Sequence, residues 1–513
     1  MPYDQPSLRN LSRRDVMKTG AALASTALIT TPLRGLAAFQ AAVPSYASPV
    51  ASPYGPITPK ADLATGLNLL QLPEGFSYRS MGWSGELMNN GQPTPPRHDG
   101  MAVVEERGPL TMLIRNHENG VVNDLNGNPL GLIDARAVYD EAVSADLGAP
   151  KGVSGGTTTL VLRNGEYYKT IPSLGGTLTN CAGGVTPWGT WLSCEETTTD
   201  LTQLGGKKHG YVFEVTWNGN KRSAEPIVEM GRFAHEAVAI NPMSGTVYLT
   251  EDRRNMAGFY KYVPDFPQFR FGALVKGGSL YAAKVVGEEN IDINAPVIGD
   301  SYHLEWVRIE EPDADPGEYS DQIVSGEASG PFLQARGKGA LRMSRGEGCW
   351  YSAKDGLIYF VDTGAGYDSQ GRSGRGDGAV WALDPNRDVI TCIYISSNPS
   401  AGNNADNITV SPRGGIVLCE DGGGVEDDFG FGERLLGLTP AGAPFIFAKN
   451  NIQLESSDIA KSGLPTSFIS EGDYRNKEWC GACFNSSGDT LFVNVQTPGV
   501  TFAIYGPWGV GPI

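Results

Sequence analysis

From about residue 60 onward the chain is built from apolar runs of five or six residues, each broken by Gly, Asn, Asp or Pro. Extended 3.6-residue periodicity is scarce, so the pattern predicts an all-β fold. The runs also repeat in register. Asp99-Gly-Met-Ala-Val-Val, Cys181-Ala-Gly-Gly-Val-Thr, Glu236-Ala-Val-Ala-Ile-Asn, Glu347-Gly-Cys-Trp-Tyr-Ser, Asp406-Asn-Ile-Thr-Val-Ser and Cys480-Gly-Ala-Cys-Phe-Asn each read as a short strand. Each meets a glycine eight or nine residues on, at Gly108, Gly189, Gly245, Gly356, Gly414 and Gly488. A second strand follows each glycine, and several copies add a third, as in Gly378-Ala-Val-Trp-Ala-Leu. Six copies of a strand–turn–strand–strand unit predict a six-bladed β-propeller with irregular loop insertions, the largest over 119–150 and 264–340.

The first forty residues follow a different pattern. Ser12-Arg13-Arg14-Asp15-Val16-Met17-Lys18, the apolar run Ala21–Ile29 and the small-residue site Gly35-Leu36-Ala37 stand in the order of a twin-arginine signal peptide over 1–37. An Ala-, Pro- and Ser-rich stretch over 38–60 reads as a flexible linker, and 61–513 as one catalytic domain. The partner implied by the signal is the twin-arginine export machinery, and the location implied is periplasmic or secreted. No segment is apolar enough to predict a membrane span.

The net charge of −17 argues against a nucleic-acid partner, which would need a basic surface, and suits a protein that collects cations. Seven cysteines are an odd number for an exported chain, so at least one is expected free or metal-bound.

In a propeller the innermost strand of each blade lines a central channel. The residues that start those strands are Asp99, Cys181, Glu236, Glu347, Asp406 and Cys480, all of metal-ligand type, although Asp, Glu and Cys are together only about one residue in eight. The second strands end at Glu118, Glu195-Glu196, Glu251-Asp252, Asp362 and Glu420-Asp421. Carboxylates this dense repel one another unless cations lie between them. Oxygen donors select a hard cation such as calcium, whereas the thiol of Cys181 points to a transition metal. The pattern leaves open which member of each acidic pair is the ligand. Arg345 lies two residues before Glu347 and so shares its strand face. A guanidinium among carboxylates is a structural ion pair or an anion clamp, and the anion such a site suits is phosphate. Asn116, Arg253 and Arg254 are further candidates for substrate contact.

Asn180-Cys-Ala-Gly-Gly-Val-Thr-Pro-Trp-Gly-Thr-Trp-Leu-Ser-Cys-Glu-Glu196 resembles the signature of PhoX-type alkaline phosphatases. Gly231-Arg-Phe-Ala-His-Glu-Ala237, Tyr248-Leu-Thr-Glu-Asp252 and the stretch from Gly481 to Trp508 support it in the same order. The resemblance implies a six-bladed propeller with an iron–calcium cluster in its channel and hydrolysis of small phosphomonoesters. It implies Cys181 as the iron-bound thiolate, and Glu196, Glu236 or Glu251, and Glu347 as carboxylate ligands. Asp406 and Glu420 would serve calcium, with Glu195 and Asp421 as the alternative members of their pairs, and Arg345 would bind the phosphoryl group. The family typically carries Arg-Pro-Glu where this chain has Arg345-Gly346-Glu347. Two rival readings fit the same repeat: a calcium-dependent lactonase on a six-bladed propeller, and an exported calcium-bound scaffold that catalyses nothing.

Overall fold

The six glycines picked out by the repeat share one backbone conformation. Gly108, Gly189, Gly245, Gly356, Gly414 and Gly488 all have positive φ, between +59° and +96°. A left-handed residue closes the tight turn between two antiparallel strands, and only glycine adopts it without steric cost. Each of these turns joins an inner strand to its antiparallel neighbour, as in Val247–Glu251 following His235–Ile240.

In the computed structural model, residues 45–120, 131–141, 143–144 and 151–513 are described. The expected export signal over 1–37, the first part of the expected linker and much of the 119–150 insertion lie outside them. The remainder is an all-β, propeller-like arrangement whose α-helices, among the described residues, are the short Gly330–Gly337 and Ser456–Ser462. No helix among the described residues is long and apolar enough to cross a membrane.

Six inner strands form a closed ring. His98–Arg107 packs against Asn180–Val185, which packs against His235–Ile240. Gly346–Tyr351, Ala405–Val410 and Trp479–Phe484 follow in turn, and the last returns to His98–Arg107. These strands are buried almost throughout, which explains why their apolar runs do not alternate with polar residues. The chain closes on itself in the last unit, where Ser77–Met81 pairs antiparallel with Val500–Tyr505 beside Thr490–Val495 and Trp479–Phe484.

Six separate sheets, however, are not what the strands form. The main sheets number five, of four, three, nine, six and four strands. The nine-stranded sheet joins the units that begin at His235 and Gly346. Ser301–Arg308, inside the 264–340 insertion, pairs on one side with Gly278–Val285 and on the other with Val389–Ile395. That insertion is therefore largely regular, supplying the outer strands of one unit and the bridge to the next. The body also begins earlier than the boundary at residue 60 expected from composition. Tyr46 bridges to Ser396, Val50 to Phe445, and Ile57–Lys60 pairs with Leu70–Pro73. Ile57 is buried in one core cluster with Leu418, Leu436 and Ile446 and so anchors this segment, which a stretch rich in Pro and Ser does not advertise.

Candidate metal centre

Every inner strand carries a β-bulge at its entrance. Two residues stand opposite one at Asp99–Gly100, Cys181–Ala182, Glu236–Ala237, Glu347–Gly348 and Asp406–Asn407. A bulge re-aims a side chain that would otherwise follow the pleat. The backbone just before it is also shared: Arg97, Thr179, Arg345 and Asn404, each two residues ahead of a ring residue, are left-handed with φ between +50° and +63°. In the sixth strand the bulge starts one residue later, at Gly481, and Cys480 stays in register opposite Asn494.

The bulges bring three groups of donors together, with ligand atoms within 4.8 Å of one another in each: Cys181, Glu196 and Glu236; Glu236, Glu347 and Asp406; Asp99, Glu478 and Cys480. Glu236 belongs to two groups, and Cys181 Sγ lies 3.7 Å from Asp99 Oδ2, so the three are contiguous. Asp99, Glu236 and Glu347 are buried, yet neither oxygen of Glu236 nor Asp99 Oδ1 has a hydrogen-bond partner. Burial and the neighbouring carboxylates push Asp99, Glu196, Glu236, Glu347 and Glu478 well above the usual carboxylate range. Glu118 and Asp406 are raised to about 7 and Asp421 to about 6, burial again leading. Burial raises the Cys181 thiol as well. Buried carboxylates without partners are costly unless cations offset them. The donor set, many oxygens and two thiols, fits a group of hard cations with a softer metal beside it.

Adjacent acids face opposite ways. Glu195 accepts hydrogen bonds from the Leu178, Gly210 and Tyr211 amides and from His209 Nδ1 at 2.6 Å. Glu251 accepts from Ser329 Oγ, Tyr260 Oη and the Gly258 amide. Glu420 accepts from the Asn403 amide and takes a bidentate contact from Arg434, both bonds 2.7 Å. These three are consumed within the fold, a correction to their place among the expected ligands. Their successors turn to the mouth instead. Each donates its amide to the strand entrance: Glu196 to Thr179 O, Asp252 to Ala234 O and Asp421 to Asn404 O. Neighbouring residues of an extended strand face opposite sides, so one member of each pair reaches the mouth and the other meets donors of the fold.

Asn116 is likewise a structural peg. Its Nδ2 donates to the Cys181 and Ala182 carbonyls, and its Oδ1 accepts from Trp191 Nε1 and Ser193 Oγ, which leaves nothing for a substrate. Arg345 does reach the centre. It is a quarter exposed, hydrogen-bonds Asp252 at 3.1 Å and forms an ion pair with Glu347 at 2.8 Å, and the latter carboxylate raises its pKa further. His117 and His235 bond backbone carbonyls, at Pro96 and Gly231, and His117 also bonds Thr158 Oγ1. All seven cysteines are free and buried.

Glu478 was absent from the expected set. Gln496 Nε2 ties it to Glu118, at 2.7 and 2.8 Å. The signal was present in Glu478-Trp479-Cys480: residues two apart share a strand face, the rule that linked Arg345 to Glu347. Beneath the donors the channel narrows to a small cavity lined by Gly100, Ala182, Ala237, Gly348, Asn407 and Ala482. A Cβ on Gly100 would lie 2.5 Å from Ala182 Cα, so the inner strands approach one another closely there.

A family model described as alkaline phosphatase PhoX matches residues 52–171 and 151–499. Among solved structures, PhoX of Pseudomonas fluorescens, in complex with vanadate as a transition-state analogue, is 18% identical with a TM-score of 0.59; the match covers 91% of this chain and 98% of that one. A gluconolactonase of Xanthomonas campestris matches at 10% identity and a TM-score of 0.36, over 88% of this chain and 98% of that one. No curated protein matches the chain.

Proposed function

The chain belongs to the PhoX family of alkaline phosphatases, metal-dependent phosphomonoester hydrolases, and from that premise we propose that the acidic mouth is where it releases inorganic phosphate from small phosphoesters. The observation that carries the reading is the pairing of opposites at one place. Buried Glu236 has no hydrogen-bond partner for either oxygen, and the guanidinium of Arg345 lies within 2.8 Å of the adjacent ligand candidate Glu347.

The ligands we assign are Cys181, Glu196, Glu236, Glu347, Asp406 and Asp421, joined by Asp99, Glu478 and Asp252. Calcium and iron suit this set, oxygens for the hard cation and the Cys181 thiolate for the softer one. When bound, such cations neutralise charge on a transferring phosphoryl group and acidify bound water. The chain's own part is to orient and to clamp. The bulges fix the carboxylates, and Arg345, held by Asp252 and Glu347, offers its remaining N–H groups to a phosphoryl oxygen as charge builds there. Small residues below the donors leave the upper face as the route for substrate.

Six blades in a single catalytic domain over 61–513 is the architecture we favour, on the six-strand ring and the closure of its last unit. Export by the twin-arginine machinery to the periplasm or medium rests on the pattern from Ser12 to Lys18.

The test is p-nitrophenyl phosphate hydrolysis by the exported protein, with and without a calcium chelator. Chelator-sensitive turnover restored by added calcium is expected. Absence of turnover in folded, metal-loaded protein would overturn the reading.

A further inference from the structure

Three arginines converge on one side of the mouth, and only one of them is neutralised. Arg345 is paired with Asp252 and Glu347. Arg254, two residues after Asp252, and Arg375, on the loop that follows Ile358–Asp362, are both exposed. Among the described residues neither takes part in an ion pair, whereas Arg372, on the same loop, is closed off by Asp368 at 2.7 Å.

The two loops that carry these arginines are locked together rather than free. Asn255, buried and left-handed at φ +56°, donates its amide to Ser344 Oγ and its Nδ2 to the Ser373 carbonyl, and its Oδ1 accepts from Asn294. The Gly374 carbonyl accepts from both Ser344 Oγ, at 2.8 Å, and Arg254 Nη1, at 3.2 Å. Gly374 is left-handed, and a Cβ there would lie 1.9 Å from Asn255 Oδ1, so the backbone next to Arg375 is held in one place. The Arg345 amide donates to the Arg253 carbonyl, which fixes the same frame to the centre. Like charges held this close on a rigid frame repel, and an anion between them offsets that repulsion.

We propose that Arg254 and Arg375 form a second anion subsite on the rim, which binds a further anionic group of the substrate while its phosphoryl group occupies the centre. The inference rests on the phosphatase reading and deepens it: the favoured class is phosphomonoesters that carry a second anion a few bonds from the scissile phosphate. Arg254 and Arg375 are then specificity-determining residues.

A matched pair of esters tests this, 3-phosphoglycerate against glycerol 3-phosphate, which differ in a carboxylate. On the metal-loaded full chain the parent is expected to favour 3-phosphoglycerate about tenfold in kcat/KM, chiefly through KM. Arg254→Gln/Arg375→Gln is expected to bring the ratio to about one, and Arg254→Lys/Arg375→Lys to keep most of it. A parent with no preference, or a ratio that the Gln pair leaves unchanged, overturns the subsite. Should neither ester turn over, the phosphatase reading has failed, and calorimetric binding of the same two esters still decides the subsite by the same ratios.

Discussion

Glu195 and Glu196 are neighbours in the chain with the same chemistry and opposite fates. The first is enclosed by three amides and His209, while the second joins Cys181 and Glu236 in a group of donors. Glu251 with Asp252 and Glu420 with Asp421 repeat the division. Burial alone therefore does not mark a ligand. Glu195, Glu251 and Glu420 are buried, and the fold supplies each with hydrogen-bond donors, while Glu196 is half-buried and Asp421 exposed among acidic neighbours.

The largest break in that comparison is at Glu236, whose two oxygens have no partner in the protein. Glu236→Gln should lose metal and cut turnover about a hundredfold or more, since a ligand outweighs the outer contacts that orient it. The same substitution should raise the melting temperature of metal-free protein, because it removes a charge from among Glu347, Asp406 and Glu196. Elemental analysis and melting curves with and without chelator check both halves. A metal-free melting temperature that falls would contradict the account.

On the satisfied side, Arg434→Met strands Glu420 without its bidentate partner. Breaking a buried pair of this kind costs about 3–5 kcal/mol, so chemical denaturation should show a loss of that order, with metal content per folded molecule retained.

A smaller effect comes from His209, held between Glu195 and Asp140 at 2.6 and 3.3 Å. Burial lowers its pKa, but the two carboxylates more than reverse that and raise it to about 9, above the ordinary value of 6.5. A group raised on folding stabilises fully below its unfolded pKa, and that stability is lost as pH rises through the folded value. The melting-temperature gap between the parent and His209→Gln should therefore be widest below about pH 6.5 and shrink as pH passes about 9.

The positions of the strands were legible because a turn that needs positive φ must carry glycine, and the six glycines stand at even distances from the six strand starts. The ring residues Asp99, Cys181, Glu236, Glu347 and Asp406 were legible for the same reason. The facing of each acidic pair was not, because alternation sends neighbours to opposite sides without saying which one meets donors from other segments, such as His209, Ser329 and Arg434. Glu478 was legible by the spacing that joined Arg345 to Glu347, since it stands two residues before Cys480. His209 carried no local signal at all, since its partner Asp140 lies 69 residues away. The fusion of two units into one sheet was hidden likewise, because the pairing of Ser301 with Thr391 is non-local.

The most direct measurement is metal content per folded molecule in Glu195→Gln and Glu196→Gln, side by side, with turnover of p-nitrophenyl phosphate on the same samples. Glu196→Gln is expected to fold and to lose metal and turnover together, and Glu195→Gln to be less stable yet to keep its metal. Metal lost from Glu195→Gln and kept by Glu196→Gln would contradict this.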